Sequence, residues 1–164
     1  MIKAKKSLSQ NFIKDKNIFK KIINQTKITN KYVLEIGPGH GFMTDVIISK
    51  KPKKLFLIEK DSRLRNLLFD KYKKNKKIVM LGDDVLKTNL TQFNNLIIIS
   101  NLPYNVSTKI IFYLFKFNEN ISEMILMVQK EVAEKFDYNL PKMNKYKFLT
   151  KIVSTYYRCF NVSS

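Results

Sequence analysis

The sequence predicts an α/β fold, a largely parallel sheet with helices on both faces. Two patterns carry that expectation. Short apolar runs that read as buried strands alternate with stretches whose apolar residues recur every three to four positions, as on an amphipathic helix. The polar and glycine-rich residues, moreover, gather where the apolar runs end, which is where such sheets bind ligands.

In chain order, Asn17–Asn24 is expected as an N-terminal helix, and "YVLEIG" (32–37) as the first strand. Phe42–Lys50 follows as a helix, "KLFLIEKD" (54–61) as a strand and Arg63–Tyr72 as a helix. The third and fourth strands are "KIVMLGDD" (77–84) and "LIIISN" (96–101). Thr108–Phe117 then reads as a helix and "EMILMVQKE" (123–131) as a fifth strand. Residues 138–147 suggest a lysine-bearing loop, Phe148–Tyr157 a further helix and Cys159–Ser163 the start of a strand. The chain then stops without a turn or cap, as if cut.

Composition narrows the classes. With 164 residues and 45% hydrophobic side chains the chain can bury a core, and residues 1–164 read as one domain. No window has the 18 or so consecutive apolar residues of a membrane span, and the basic start "MIKAKKSLSQNF" lacks the apolar core of a secretory signal. One cysteine, Cys159, excludes an internal disulfide framework and fits a reducing cytoplasm. One histidine, His40, leaves no cluster from which to build a zinc site or a nucleophilic triad, so no metal is expected. The formal charge of +18 points to a polyanionic partner, because neutralising phosphates releases counterions. A lysine- and asparagine-rich bias from an A-rich coding sequence is the competing source of that charge.

Four sites sit at strand ends. "LEIGPGHGF" places Gly37, Gly39 and Gly41 between a strand and a helix, where the backbone can approach a ligand closely. The spacing is G-x-G-x-G rather than the dinucleotide G-x-G-x-x-G, and Glu35 puts a carboxylate beside it. Both features suit a ligand with an adenosine but no phosphates; a merely structural turn is the bland alternative. Glu59, at the end of the second strand, can accept hydrogen bonds from two ribose hydroxyls, unless it is a surface glutamate paired with Lys60 or Arg63. Of Asp83 and Asp84, one can accept an adenine amine while the other caps the turn.

The fourth site, Asn101-Leu102-Pro103-Tyr104, ends a buried strand in an amide, a locked backbone and an aromatic face. An adenine amine is a poor nucleophile because its lone pair is drawn into the ring. The Asn101 side-chain carbonyl and the Leu102 backbone carbonyl can each accept one of its N–H groups and favour a pyramidal nitrogen. Pro103 keeps that carbonyl aimed, and the Tyr104 ring can stack on an extracted base, a contact worth ~1–3 kcal/mol. An asparagine-capped turn ahead of a helix at Ser107 accounts for the same residues locally.

The segments "SQNFIKD" (9–15), "EIGPGHGFMT" (35–44), "IEKD" (58–61), "GDDVLK" (82–87), "NLPYNVST" (101–108) and "MVQKEVAEK" (127–135), in this order, make the chain resemble the rRNA adenine dimethyltransferase family. "NLPYNVST" with "QKE" is closer to its small-subunit branch than to its macrolide-resistance branch. The resemblance implies a Rossmann-like class I fold with S-adenosylmethionine as cofactor, held by Asn11, Ile13, Gly37, Glu59, Asp84 and Asn101. It also implies that Asn101 to Tyr104 hold the target adenine, and it is what selects Asp84 over Asp83. The implied activity is dimethylation of adenine amines in rRNA of the immature small ribosomal subunit, by a monomer. Lys147 and Phe148 stand where the family has Gly and Arg. The family continues into a C-terminal helical domain, and the resemblance implies a chain truncated before it. The rivals are a large-subunit macrolide-resistance methyltransferase, a non-catalytic RNA-binding assembly factor, and a DNA adenine methyltransferase, which usually has Asp at the first position of the Asn-Leu-Pro-Tyr motif.

Overall fold

The computed structural model describes residues 2–3 and 15–136. The chain divides into two compact units, Met1–Met127 and Val128–Ser164. The first unit holds α1 (Lys16–Ile23), β1 (Tyr32–Ile36), α2 (Phe42–Ser49), β2 (Lys54–Ile58), α3 (Ser62–Tyr72), β3 (Ile78–Gly82), β4 (Leu96–Asn101), α4 (Ser107–Phe115) and β5 (Ile121–Met127). In the second, α5 spans Lys130–Phe136. The expected loop at 138–147, helix at Phe148–Tyr157, strand at Cys159–Ser163 and the Lys147-Phe148 departure lie outside the described residues.

The five strands form one sheet, ordered β3-β2-β1-β4-β5, and every neighbouring pair is parallel. The central strands are buried nearly throughout, because helices cover both faces; Val33, Leu34, Leu57, Ile98 and Ile99 have no measurable exposure. A run such as Leu96–Ile99 therefore has to be uniformly apolar rather than alternating. Helices α1 and α3 start where the sequence offers an acceptor: Asp15 takes the Asn17 N–H at 2.7 Å, and Asp61 takes the Arg63 N–H at 3.0 Å.

One boundary departs from the expectation. The fifth strand was expected at 123–131 but runs Ile121–Met127, and Lys130 and Glu131 belong to α5. The strand segment presents Ile121 and Ile125 inward. After Met127 the residues turn polar, and the Gln129 carbonyl accepts the Val132 and Ala133 N–H groups at 3.0 and 2.9 Å, which begins a helix. Patterning also gave no sign of the 3-10 turn at Val85–Lys87.

Strand order reverses between β1 and β4, since β1 is followed in the chain by β2 on one side while β4 flanks it on the other. The carboxyl ends of those two strands border the crevice in which open α/β sheets bind ligands. Ser100 ties them together there, its hydroxyl donating to the Ile36 carbonyl at 2.6 Å.

Candidate active site

A pocket opens at that crevice. Gly37, Glu59, Asp84, Asn101, Leu102, Pro103 and Tyr104 all line it, so residues dispersed over 68 positions converge as the sequence order implied. Asn11 and Ile13 lie outside the described residues. The apolar wall is completed by Phe19 from α1, Met43 from α2 and Ile110 from α4, which the sequence reading did not single out. Their helical spacing marked them as core, and nothing in it separates a core residue from a pocket wall.

The glycine loop leaves β1 with Gly37, Gly39 and Gly41 at φ of 68°, 61° and 79°. At Gly41, the residue that precedes α2, a β-carbon would fall 2.5 Å from the Tyr72 hydroxyl and 3.1 Å from Leu68 Cδ2, so only glycine fits. Tyr72 and Lys71 brace this turn from α3. The Tyr72 hydroxyl lies 2.7 Å from Asp45 Oδ1, and the Lys71 ammonium donates to Asp45 Oδ2 at 2.8 Å. Burial, then the neighbouring Asp45, pushes the Tyr72 phenol well above its ordinary range.

Glu59 is 5% exposed, which removes the alternative of a surface glutamate. Lys60 pairs with Asp84 at 3.1 Å and Arg63 with Asp61 at 2.6 Å, and neither forms an ion pair with Glu59. Glu59 instead accepts the Gly39 N–H through Oε2 at 3.0 Å and the Asp61 N–H through Oε1 at 2.9 Å. The carboxylate thus pins the glycine loop to the end of β2. Burial raises its pKa, against the lowering effect of those two backbone donors.

Glu35 is completely buried. The Thr44 hydroxyl donates to its Oε2 at 2.6 Å, while Oε1 has no hydrogen-bond partner although the residue lines the pocket. Desolvation drives its carboxyl up to about 8, so at neutral pH it is largely protonated. Sequence reading placed this carboxylate beside the loop but gave no hint of its bond to Thr44.

Asp84 both caps and lines. Its Oδ1 accepts the Leu86 N–H at 3.0 Å, starting the 3-10 turn, and its Oδ2 meets Lys60. Partial burial would raise its pKa, but the hydrogen bond from Lys60 and that from the Leu86 N–H outweigh it and lower the value. Asp83 also lines the pocket and is exposed, so capping and pocket-lining are not divided between the two aspartates.

At the end of β4 the Leu102 N–H donates to the Met127 carbonyl at 3.0 Å, which leaves Asn101 and Leu102 fixed to the neighbouring strand. Helix α4 runs Ser107–Phe115 against the expected Thr108–Phe117, and its capping position is Val106 with no side-chain capping bond. Ser107 is buried and donates to the Tyr104 carbonyl at 3.2 Å, which holds the corner closed. Among the described residues no group of three potential metal ligands is found.

A left-handed glycine loop, a buried acid after β2 and an Asn-Leu-Pro-Tyr corner across the strand-order reversal define a Rossmann-like methyltransferase domain. The chain belongs to the ribosomal RNA adenine dimethylase family, whose sequence model matches residues 1–161. It is 45% identical over 139 residues to the ribosomal RNA small subunit methyltransferase A of Pelagibacter ubique, covering 82% of this chain and 52% of that one. Against the protein of the same name from Malacoplasma penetrans, identity is 39% over 167 residues, covering 98% and 60%. The chain thus spans about half to three-fifths of the length of these curated relatives. Of solved structures, a dimethyladenosine transferase from Plasmodium falciparum matches with a TM-score of 0.66 at 32% identity, over 77% of this chain and 46% of that one. The 23S rRNA methyltransferase ErmE shares the fold, with a TM-score of 0.71 at 21% identity over 86% and 57%. Family membership indicates S-adenosylmethionine as the cofactor.

Proposed function

We propose that residues 1–164 form the S-adenosylmethionine-binding catalytic domain of an enzyme that dimethylates adenine amines in small-subunit rRNA. The observation that carries this reading is the shared pocket of Glu59, Asp84 and the Asn101–Tyr104 corner. Its rim fits a cationic nucleoside better than a phosphorylated one. Glu59, Asp83 and Asp84 from two strand ends line it, and its rim cation Lys60 is paired to Asp84.

When bound, the sulfonium supplies an already strong methyl electrophile, so the chain has to position rather than activate. Glu59 keeps lone pairs for two ribose hydroxyls after bonding Gly39 and Asp61, and Asp84 Oδ2 keeps a lone pair beside its bond to Lys60 for an adenine amine. The Asn101 side chain and the Leu102 carbonyl accept the two N–H groups of the target base, which aims its lone pair. Tyr104 stacks on the base. Relatives at 39–45% identity carry the small-subunit name, which favours small-subunit over large-subunit rRNA. The cytoplasm is the expected compartment and a monomer the expected state; among the described residues no helix is long and apolar enough to cross a membrane.

The test is incubation of the protein with labelled S-adenosylmethionine and immature small subunits, with modified adenines mapped by mass spectrometry. Dimethyladenosine in small-subunit rRNA is expected. Label confined to large-subunit rRNA would favour the macrolide-resistance reading, and cofactor binding without any transfer would favour an assembly factor.

A further inference from the structure

The first three strands are polarised. Each ends in carboxylates at the pocket: Glu35 in β1, Glu59 after β2, Asp83 and Asp84 after β3. Each also begins in lysine at the opposite edge of the sheet, with Lys31 before β1, Lys53 and Lys54 at β2, and Lys76 and Lys77 before β3. Backbone hydrogen bonds make this row contiguous. The Lys53 N–H donates to the Lys31 carbonyl at 2.8 Å, and the Leu55 N–H donates to the Lys77 carbonyl at 2.8 Å. Lys31, Lys53, Lys76 and Lys77 are exposed.

The helices that flank these strands add to the same edge. α2 runs out into Lys50 and Lys51, and α3 into Lys73 and Lys74. A cation at a helix C-terminus has a local explanation in the helix dipole, and that is reason enough for Lys50 and Lys73. It does not account for the lysines that open three successive strands. Nor does a general lysine bias, because the other half of this edge lacks them: β4 is preceded by Asn94 and Asn95, and β5 by Glu119 and Asn120. The one ion pair found at the lysine-rich end is Asp70 with Lys73, among the described residues.

We propose that this edge is a second contact surface for RNA, gripping the phosphate backbone on the far side of the sheet from the pocket that takes the base. The inference rests on the RNA-substrate reading and extends it. A row of lysines across adjacent strands, about 4.8 Å apart, matches a polyanion rather than one bound ion. No large hydrophobic side chain of the row's strands is exposed; among the described residues only Phe69 on α3 and Val106 before α4 are. That argues for phosphates in water rather than a lipid surface. Lysines here position RNA without reading sequence, and leave selection of the adenine to the pocket.

Fluorescence anisotropy of a labelled RNA hairpin against the 164-residue chain tests the surface. One variant carries Lys31→Gln, Lys53→Gln and Lys77→Gln. A charge-matched control carries Lys16→Gln, Lys20→Gln and Lys109→Gln, on α1 and α4. The strand-edge variant should lose affinity about tenfold or more, and its log–log salt slope should flatten by about one per lysine removed. The control should stay close to the parent, and arginine at the three edge positions should restore binding. Equal losses in both variants, or none in the edge variant, would overturn the surface, as would equally tight binding of the parent to phosphatidylglycerol vesicles. S-adenosylmethionine affinity, titrated in parallel, should be the same in all forms. Unchanged cofactor binding with unchanged RNA binding in the edge variant sinks the surface alone, whereas a parent that binds no RNA sinks the substrate reading as well.

Discussion

The Tyr72 hydroxyl occupies the space that a β-carbon on Gly41 would need, 2.5 Å from that position and 3.0 Å from the Gly41 carbonyl oxygen. The glycine loop is therefore shaped from behind, by a residue 31 positions later in the chain. Gly41 is left-handed because α2 must start there, and Tyr72 makes that choice irreversible by closing the room for any side chain.

Gly41→Ala should cost about 2–4 kcal/mol, combining a left-handed non-glycine residue with overpacking. Tyr72→Phe alone should cost about 1 kcal/mol through its lost hydrogen bond. Because the closest atom to the new methyl is the hydroxyl, the double variant should be more stable than the sum of the two predicts. Urea denaturation of the four forms measures the coupling; strict additivity would mean the contact does not restrict position 41.

Glu35 gives a pH dependence of unusual sign for a carboxylate. Its pKa rises from 4.5 to about 8 in the folded chain, so the folded state holds a proton that the unfolded state has released. Stability contributed by this group is complete below about 4.5 and is lost as pH rises towards 8, with a slope of up to about 1.4 kcal/mol per pH unit. Burial raises Glu59 too, in the same direction, so the difference between parent and Glu35→Gln isolates Glu35. The variant should be less sensitive to pH between 5 and 8 in chemical denaturation. Parallel curves would show that Glu35 ionises normally.

Glu59→Ala should weaken S-adenosylmethionine binding strongly, for two reasons that can be told apart. It removes an acceptor for the ribose hydroxyls, and it frees the Gly39 and Asp61 N–H groups that shape the loop. Glu59→Gln keeps one acceptor oxygen and should fall between parent and alanine in isothermal titration. Equal affinities in all three would take Glu59 out of the site.

Most of this fold was legible in the sequence because its central strands β1, β2 and β4 are buried on both faces. Ile97, Ile98 and Ile99 leave no other reading, and every strand was found within a few residues. The miss at β5 has a physical source. Glu123 is an early polar residue that follows Ser122, so the strand's true start at Ile121 looked like loop, while apolar Val128 carried the reading past Met127. The pocket-lining residues from Gly37 to Tyr104 were legible as an ordered series of strand ends, since a parallel sheet brings those ends together. Spacing could not show the cross-links between them. Thr44 to Glu35, Tyr72 to Gly41 and Lys60 to Asp84 join different elements, and each depends on packing that no local pattern encodes.

The last prediction separates chemistry from binding at the end of β4. The Leu102 N–H bond to Met127 and the Ser107 bond to the Tyr104 carbonyl fix the backbone of this corner independently of the Asn101 side chain. Asn101→Ala should lose most methyl transfer, with a smaller loss of cofactor affinity, because in the proposed function its principal contact is with the reacting amine. Tyr104→Phe should keep much of the activity, since the ring face stacks, while Tyr104→Ala should not. Single-turnover methylation rates beside cofactor titrations distinguish these cases. If Asn101→Ala lost cofactor binding and transfer in equal measure, its role would be to hold the cofactor. If the phenylalanine variant were as inactive as the alanine one, the Tyr104 hydroxyl rather than its ring would act on the base.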